Sequence, residues 1–197
     1  MNLTIVNLLN LAGETLRAPR QGARQVLNLG LTPAVLWQLV ILVVVLGVLL
    51  GWLTLAFLVP QTQGSPFSLF RSPLALGIVQ GSILVLMIFG TYWIGRAFGG
   101  AGDFEGTMAV MVWLQVILLM VQLVQTIAFL LVPPLGALIG YLALVMTIWL
   151  FVNFVAELHG FESLGMVFLG TGGVFLGIVL AIVPVLSLIG VGAPPGG

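Results

Sequence analysis

The segment Phe154–Ser163, FVAELHGFES, places two carboxylates, Glu157 and Glu162, around the only histidine of the chain, His159. These side chains are of the kinds that ligate metals or exchange protons. A second acidic stretch, GGAGDFEGT at 99–107, carries Asp103 and Glu105. If both stretches lie on one membrane face, four carboxylates and an imidazole share it. Oxygen ligands suit magnesium or calcium, and an added imidazole suits zinc or manganese. The spacing argues otherwise. E-x-H-x-x-E is not the zinc pattern H-E-x-x-H, and residues two apart on a helix do not share a face. The glycine-rich stretch lacks the Lys-Ser/Thr ending of a phosphate loop, and its acids repel anions. The plainer reading is a pair of surface turns. Gly160 stops one helix, Asp103 caps another, and acids suit a helix start. The chain has no cysteine, which removes thiolate and disulfide chemistry. No nucleophile elbow, dinucleotide fingerprint or haem motif is present. No catalytic residue, cofactor or resident metal is therefore expected.

The elements that would position these residues follow from composition. The 197 residues are 61% hydrophobic and 5% charged, whereas soluble domains carry about 25% charged residues. The chain reads as an all-α integral membrane protein, and zero net charge argues against a nucleic-acid partner. Five spans are expected near 34–59, 73–95, 106–132, 135–156 and 163–190, within a membrane domain at 31–192. The tandem Pro133-Pro134 divides an uncharged run too long for one helix. Pro184 is expected as a kink in the fifth span, and 193–197 as a tail. No cleaved leader is expected, because no basic leading region or A-x-A site is evident.

Residues 1–30 differ from the rest. Asn7, Asn10, Glu14 and Arg17 recur at helical spacing, with Ile5, Leu8, Leu9, Ala12 and Leu16 on the other side. An amphipathic helix lying in the headgroup plane is expected, ended by Pro19 and followed by a short piece bearing Arg20 and Arg24. Arg17, Arg20, Arg24 and Arg96 fall on one side of the expected topology. That side is assigned to the cytoplasm, with the C-terminus opposite and a bacterial inner membrane as the expected location.

Within the spans, Gln115, Gln122 and Gln125 form a stripe, joined by Gln80 and Asn153. Such amides act as interhelical glue or line a polar path. No span carries a mid-membrane charge of the kind that ion coupling needs. The small-xxx-small pairs at Gly77/Gly81, Gly95/Gly99, Gly136/Gly140 and Gly173/Gly177 favour close helix packing. A weak internal repeat pairs Thr91-Tyr-Trp93 and Thr147-Ile-Trp149 with the later Phe-Glu pairs at 104–105 and 161–162.

GRAFGGAGDFEGTMAVMVW (95–113) and VAELHGFESLGMVFLG (155–170) resemble the two inner-loop blocks of Yip-domain proteins, and LRAPRQGARQ is similar to the lead-in of the prokaryotic-type branch. The resemblance covers roughly 15–190. It implies a cytoplasmic N-terminal segment followed by five spans. Eukaryotic members carry D-L-Y-G-P and G-Y-x-x-x-P motifs, tied in the family to GTPase binding. Here the first is missing and Gly140-Tyr141 lacks the following proline, so GTPase binding does not carry over.

The function expected from these features is a non-enzymatic membrane scaffold or adaptor. Arg17, Arg20, Arg24, Arg96, Asp103, Glu105, Glu157, His159 and Glu162 would contact partners or lipid. Either the basic N-terminal segment docks under the acidic inner loops, or it binds lipid while the loops receive a basic partner. Membrane lipids and other membrane proteins, or further copies of the chain, are the expected partners. The alternatives are a small permease or channel for a neutral solute, built on the Gln stripe, and a metal-dependent membrane enzyme.

Overall fold

The computed structural model describes residues 4–58 and 72–173. Six helices run through its first unit, which ends at Phe161. They are α1 (Ile5–Arg17), α2 (Pro19–Leu27), α3 (Pro33–Leu58), α4 (Pro73–Ala97), α5 (Phe104–Leu131) and α6 (Pro133–His159). The second unit begins at Glu162, and its described part is the apolar helix α7 (Leu164–Gly173). No strand occurs among the described residues. The remainder of the expected fifth span, with Gly177 and Pro184, lies outside the described residues, as do Arg71 and the 193–197 tail.

Four helices, α3 to α6, are long and apolar enough to cross a membrane. At 1.5 Å per residue, the 28 residues of α5 span about 42 Å, more than the ~30 Å hydrocarbon layer. Local chemistry sets their starts. The Ser72 hydroxyl accepts the Ala75 N–H (3.4 Å) ahead of α4, and the Asp103 carboxylate accepts the Gly106 N–H (2.7 Å) ahead of α5. α5 therefore begins two residues before the expected 106, because Asp103 supplies the cap.

Pro133 and Pro134 do not stand between two helices, as the expected bounds 106–132 and 135–156 placed them. They occupy the first turn of α6, where a missing N–H costs nothing, and Val132 alone separates α5 from α6. The two helices meet closely there, since a Cβ on Gly136 would overlap the Phe129 ring.

Burial is concentrated at one end. Thr107–Leu114 of α5 are all buried, as are Val152–Ala156, Leu158 and His159 of α6. Along its length α5 packs against α2, α3, α4 and α6. Toward the far ends of α5 and α6, Leu123, Val124, Leu130, Leu138, Leu142 and Val145 are exposed. The buried end is also where the described charged residues of the first unit collect: Glu14, Arg17, Arg20, Arg24, Arg96, Asp103, Glu105 and Glu157. We call it the capped end, because α2 closes it. The buried stripe of α2 is Pro19, Gly22, Ala23 and Val26, and it packs on α6 and α5.

Candidate functional site

At the capped end the last turn of α6 is closed by Gly160 (φ 73°), the left-handed position that glycine adopts without a Cβ penalty. The Phe161 N–H bonds back to the Ala156 carbonyl at 2.8 Å, and the His159 carbonyl accepts the Ala101 N–H at 3.2 Å. His159 is thereby held against the α4–α5 turn and is 3% exposed.

Both ring nitrogens of His159 are occupied by backbone. Nδ1 accepts the Gly102 N–H at 3.3 Å, and Nε2 lies 3.2 Å from the Thr91 carbonyl. A carbonyl only accepts, so Nε2 must carry the proton, and Nδ1 must be bare to accept. The neutral Nε2–H imidazole is the one form that satisfies both bonds. The ring rests on Gly95, Gly100 and Gly102. A Cβ on Gly102 would stand 2.8 Å from Nδ1, and a Cβ on Gly95 or Gly100 would overlap the ring. Phe161 stacks on the imidazole with ring centroids 5.6 Å apart.

Glu157, two residues earlier on α6, faces another way. Its Oε1 pairs with Arg24 Nε of α2 at 2.7 Å. Arg20 Nη2 donates to the Phe161 carbonyl at 2.9 Å. Of the two arrangements the charges allowed for the N-terminal segment, the structure has its α2 part docked against the capped ends of α5 and α6. Asp103 is spent as a helix cap. Glu105 is exposed in the first turn of α5. Glu162 is exposed in the second unit. Arg96 lies over the Tyr92 ring, 5.7 Å from its centroid, and Arg17 is exposed at the end of α1. Among the described residues no three His, Cys, Asp or Glu side chains are grouped to hold a metal ion.

The membrane amides are also placed individually. Gln80 lies over Gly47 of α3, and Gln122 approaches Gly51 of the same helix, 3.8 Å from where a Cβ would stand. Gln125 lies over Gly140 of α6. The Gln stripe of α5 is therefore not one lining, because α5 stands between α3 and α6 and turns Gln122 and Gln125 toward different helices. Gln115 is half-buried. Asn153 bonds to the Trp149 carbonyl of its own helix at 2.8 Å rather than across a helix interface. A hydroxyl pair does cross helices, Thr54 to Thr126 at 3.0 Å. A groove of about 480 Å³ opens between α5 and α6, lined by Gln125, Phe129, Gly140, Tyr141, Leu144 and Thr147 among others.

One polar contact has no counterpart in the sequence reading. The Trp113 indole N–H donates to the Thr15 hydroxyl at 3.1 Å, and that hydroxyl donates to the Leu11 carbonyl at 2.7 Å. Both residues are buried and lie 98 positions apart. Gly22 of α2 lies against Thr15, with no room for a Cβ between them. The signal for this contact is Thr15 itself, a small polar residue on the same helical side as Leu8, Leu11 and Ala12 of α1.

No curated protein and no solved structure matches the chain. A family model does, the Yip1 domain, over residues 13–186. The matched region includes all four long apolar helices, the docked α2 and both turns that surround His159. With most of its length accounted for in this way, the chain belongs to the Yip1 domain family of membrane proteins.

Proposed function

We propose that the chain is a non-enzymatic scaffold that presents its capped end to partner proteins on the cytoplasmic side of the membrane. The observation that carries this reading is how the reactive side-chain types are used. His159 has both nitrogens bonded to backbone, Glu157 is paired with Arg24, and Asp103 caps α5. Their chemistry goes into holding the end of the bundle together. The cytoplasmic assignment rests on Arg17, Arg20, Arg24 and Arg96 standing at that end.

What the capped end offers to a partner is the α4–α5 turn. Phe98 is 66% exposed there, and Arg96, Asp103 and Glu105 are exposed around it. An exposed aromatic beside carboxylates suits a partner segment with an apolar anchor and basic flanks. Because Glu157 is engaged with Arg24 and Asp103 caps α5, Glu105 is the carboxylate of this turn on which the docking reading rests.

The test is co-purification in a mild detergent, with recovered partners quantified against wild type. Glu105→Lys and Phe98→Ala should each reduce or change the recovered set while membrane insertion is retained. An unaltered set in both variants would remove the docking reading.

A further inference from the structure

The angular arrangement of α1 divides it into three stripes. Leu11, Ala12 and Thr15 are buried, and Leu8 is half-buried beside them. Asn7, Asn10, Glu14 and Arg17 make a polar stripe. Between these lies a third stripe of Val6, Leu9, Gly13 and Leu16, spaced by three, four and three residues. It is apolar yet open: Val6 is 64% exposed, Leu9 55% and Leu16 40%. The apolar side expected from sequence is thus split. Ala12 faces protein, Leu9 and Leu16 do not, and Leu11 and Thr15 take the buried positions.

The Trp113–Thr15 bond sets the height of α1 along the bundle. Trp113 stands nine residues beyond Phe104, about 13 Å along α5. Its side chain leans back toward the start of its helix, which brings Thr15 several ångströms nearer the end. If the ~42 Å of α5 is centred on a ~30 Å hydrocarbon layer, about 6 Å projects at each end. Thr15 then lies a few ångströms inside the hydrocarbon boundary. α2 lies at the very end of the bundle, where Arg24 meets Glu157 near the end of α6. An amphipathic helix buries its apolar face about 5–10 Å into this boundary, so height and stripe agree.

We propose that α1 is inserted edge-on into the lipid leaflet at the capped end. Val6, Leu9 and Leu16 lie among acyl chains, Asn10, Glu14 and Arg17 lie at the headgroups, and the Trp113–Thr15 bond pins the helix to the bundle. The occupant of the open apolar stripe is lipid. The stripe is continuous in kind with the exposed apolar surface of the spans, and the pin holds it at their level. The proposal does not depend on any protein partner.

The chain has no cysteine, so single-cysteine variants can be labelled at one position only. V6C, L9C, L16C, N10C and E14C would each carry an environment-sensitive fluorophore. They would be reconstituted into phosphatidylcholine vesicles, some containing lipid with a nitroxide near the glycerol end of an acyl chain. Nitroxide lipid should quench labels at positions 6, 9 and 16 at least about twofold more than labels at 10 and 14, with aqueous iodide giving the opposite order. T15V should reduce the contrast by loosening the pin. Equal quenching at all five positions overturns the proposal. So does protection of positions 6, 9 and 16 from both quenchers that disappears on dilution to one copy per vesicle, because the occupant would then be a second copy.

Discussion

Arg24 Nε lies 2.7 Å from Glu157 Oε1, a contact that spans 133 positions of sequence and joins α2 to the last turn of α6. The Glu157 side chain is 13% exposed and that of Arg24 is 67% exposed. The hydrogen bond and negative charge of Glu157 hold the Arg24 guanidinium above its already high ordinary value, so the arginine stays charged at any working pH.

Charge exchange tests this tether. Arg24→Glu or Glu157→Arg alone should raise amide hydrogen exchange across residues 19–27, and the double exchange should return it toward wild type. A double variant that exchanges as fast as either single variant would show that the pair does not hold α2.

The pin between α1 and α5 has a different signature. Thr15→Val keeps the shape but removes the acceptor for a buried indole N–H, at a cost of about 1–3 kcal/mol. In a Trp113→Phe background the same substitution should cost less than about 0.5 kcal/mol, because the donor is gone. Unfolding midpoints in detergent measure both, and equal costs in the two backgrounds would dismiss the bond as a stabilising contact.

His159→Ala removes a buried ring and leaves the Gly102 N–H without its acceptor. A loss of about 2–4 kcal/mol is expected in the same unfolding assay. Zinc or manganese should leave the wild-type midpoint unchanged, whereas a ligand at a hundred times its dissociation constant would stabilise by about 2.7 kcal/mol. A metal-dependent rise that His159→Ala abolishes would restore the metal reading.

Two helical glycines should respond with opposite signs. A Cβ on Gly95 would overlap the imidazole, so Gly95→Ala is expected to cost about 1–3 kcal/mol. A Cβ on Gly13 meets nothing within 4 Å, so Gly13→Ala should stabilise by about 0.5–1 kcal/mol through backbone entropy. Like signs from the two substitutions would contradict this packing.

The long helices were legible because charge-free runs bounded by proline, arginine and aspartate have few other uses. Asp103 as a cap and Gly160 as a stop were legible for the same local reasons. His159 was not, because its partners are a carbonyl and an N–H at positions 91 and 102, and backbone atoms leave no mark on side-chain pattern. The glycines at 100 and 102 were the available hint. Lacking a phosphate-loop ending, they had to serve close approach instead. α1 was read as two-sided because a two-way apolar/polar division cannot separate a face toward protein from a face toward lipid.

The seat of His159 also bears on which sequences the fold can accept. The imidazole fills the volume that side chains at 95 and 100 would need, and shares with Leu158 the volume needed at 102, so these positions are sterically coupled. A larger residue at Gly95 or Gly100 becomes tolerable only when the ring at 159 shrinks, whereas at Gly102 the Leu158 side chain must give way as well, and a smaller residue at 159 leaves a void that positions 95 and 100 can fill. Neutral drift in this corner of the protein should therefore proceed by paired exchanges, with single replacements purged and compensated pairs retained.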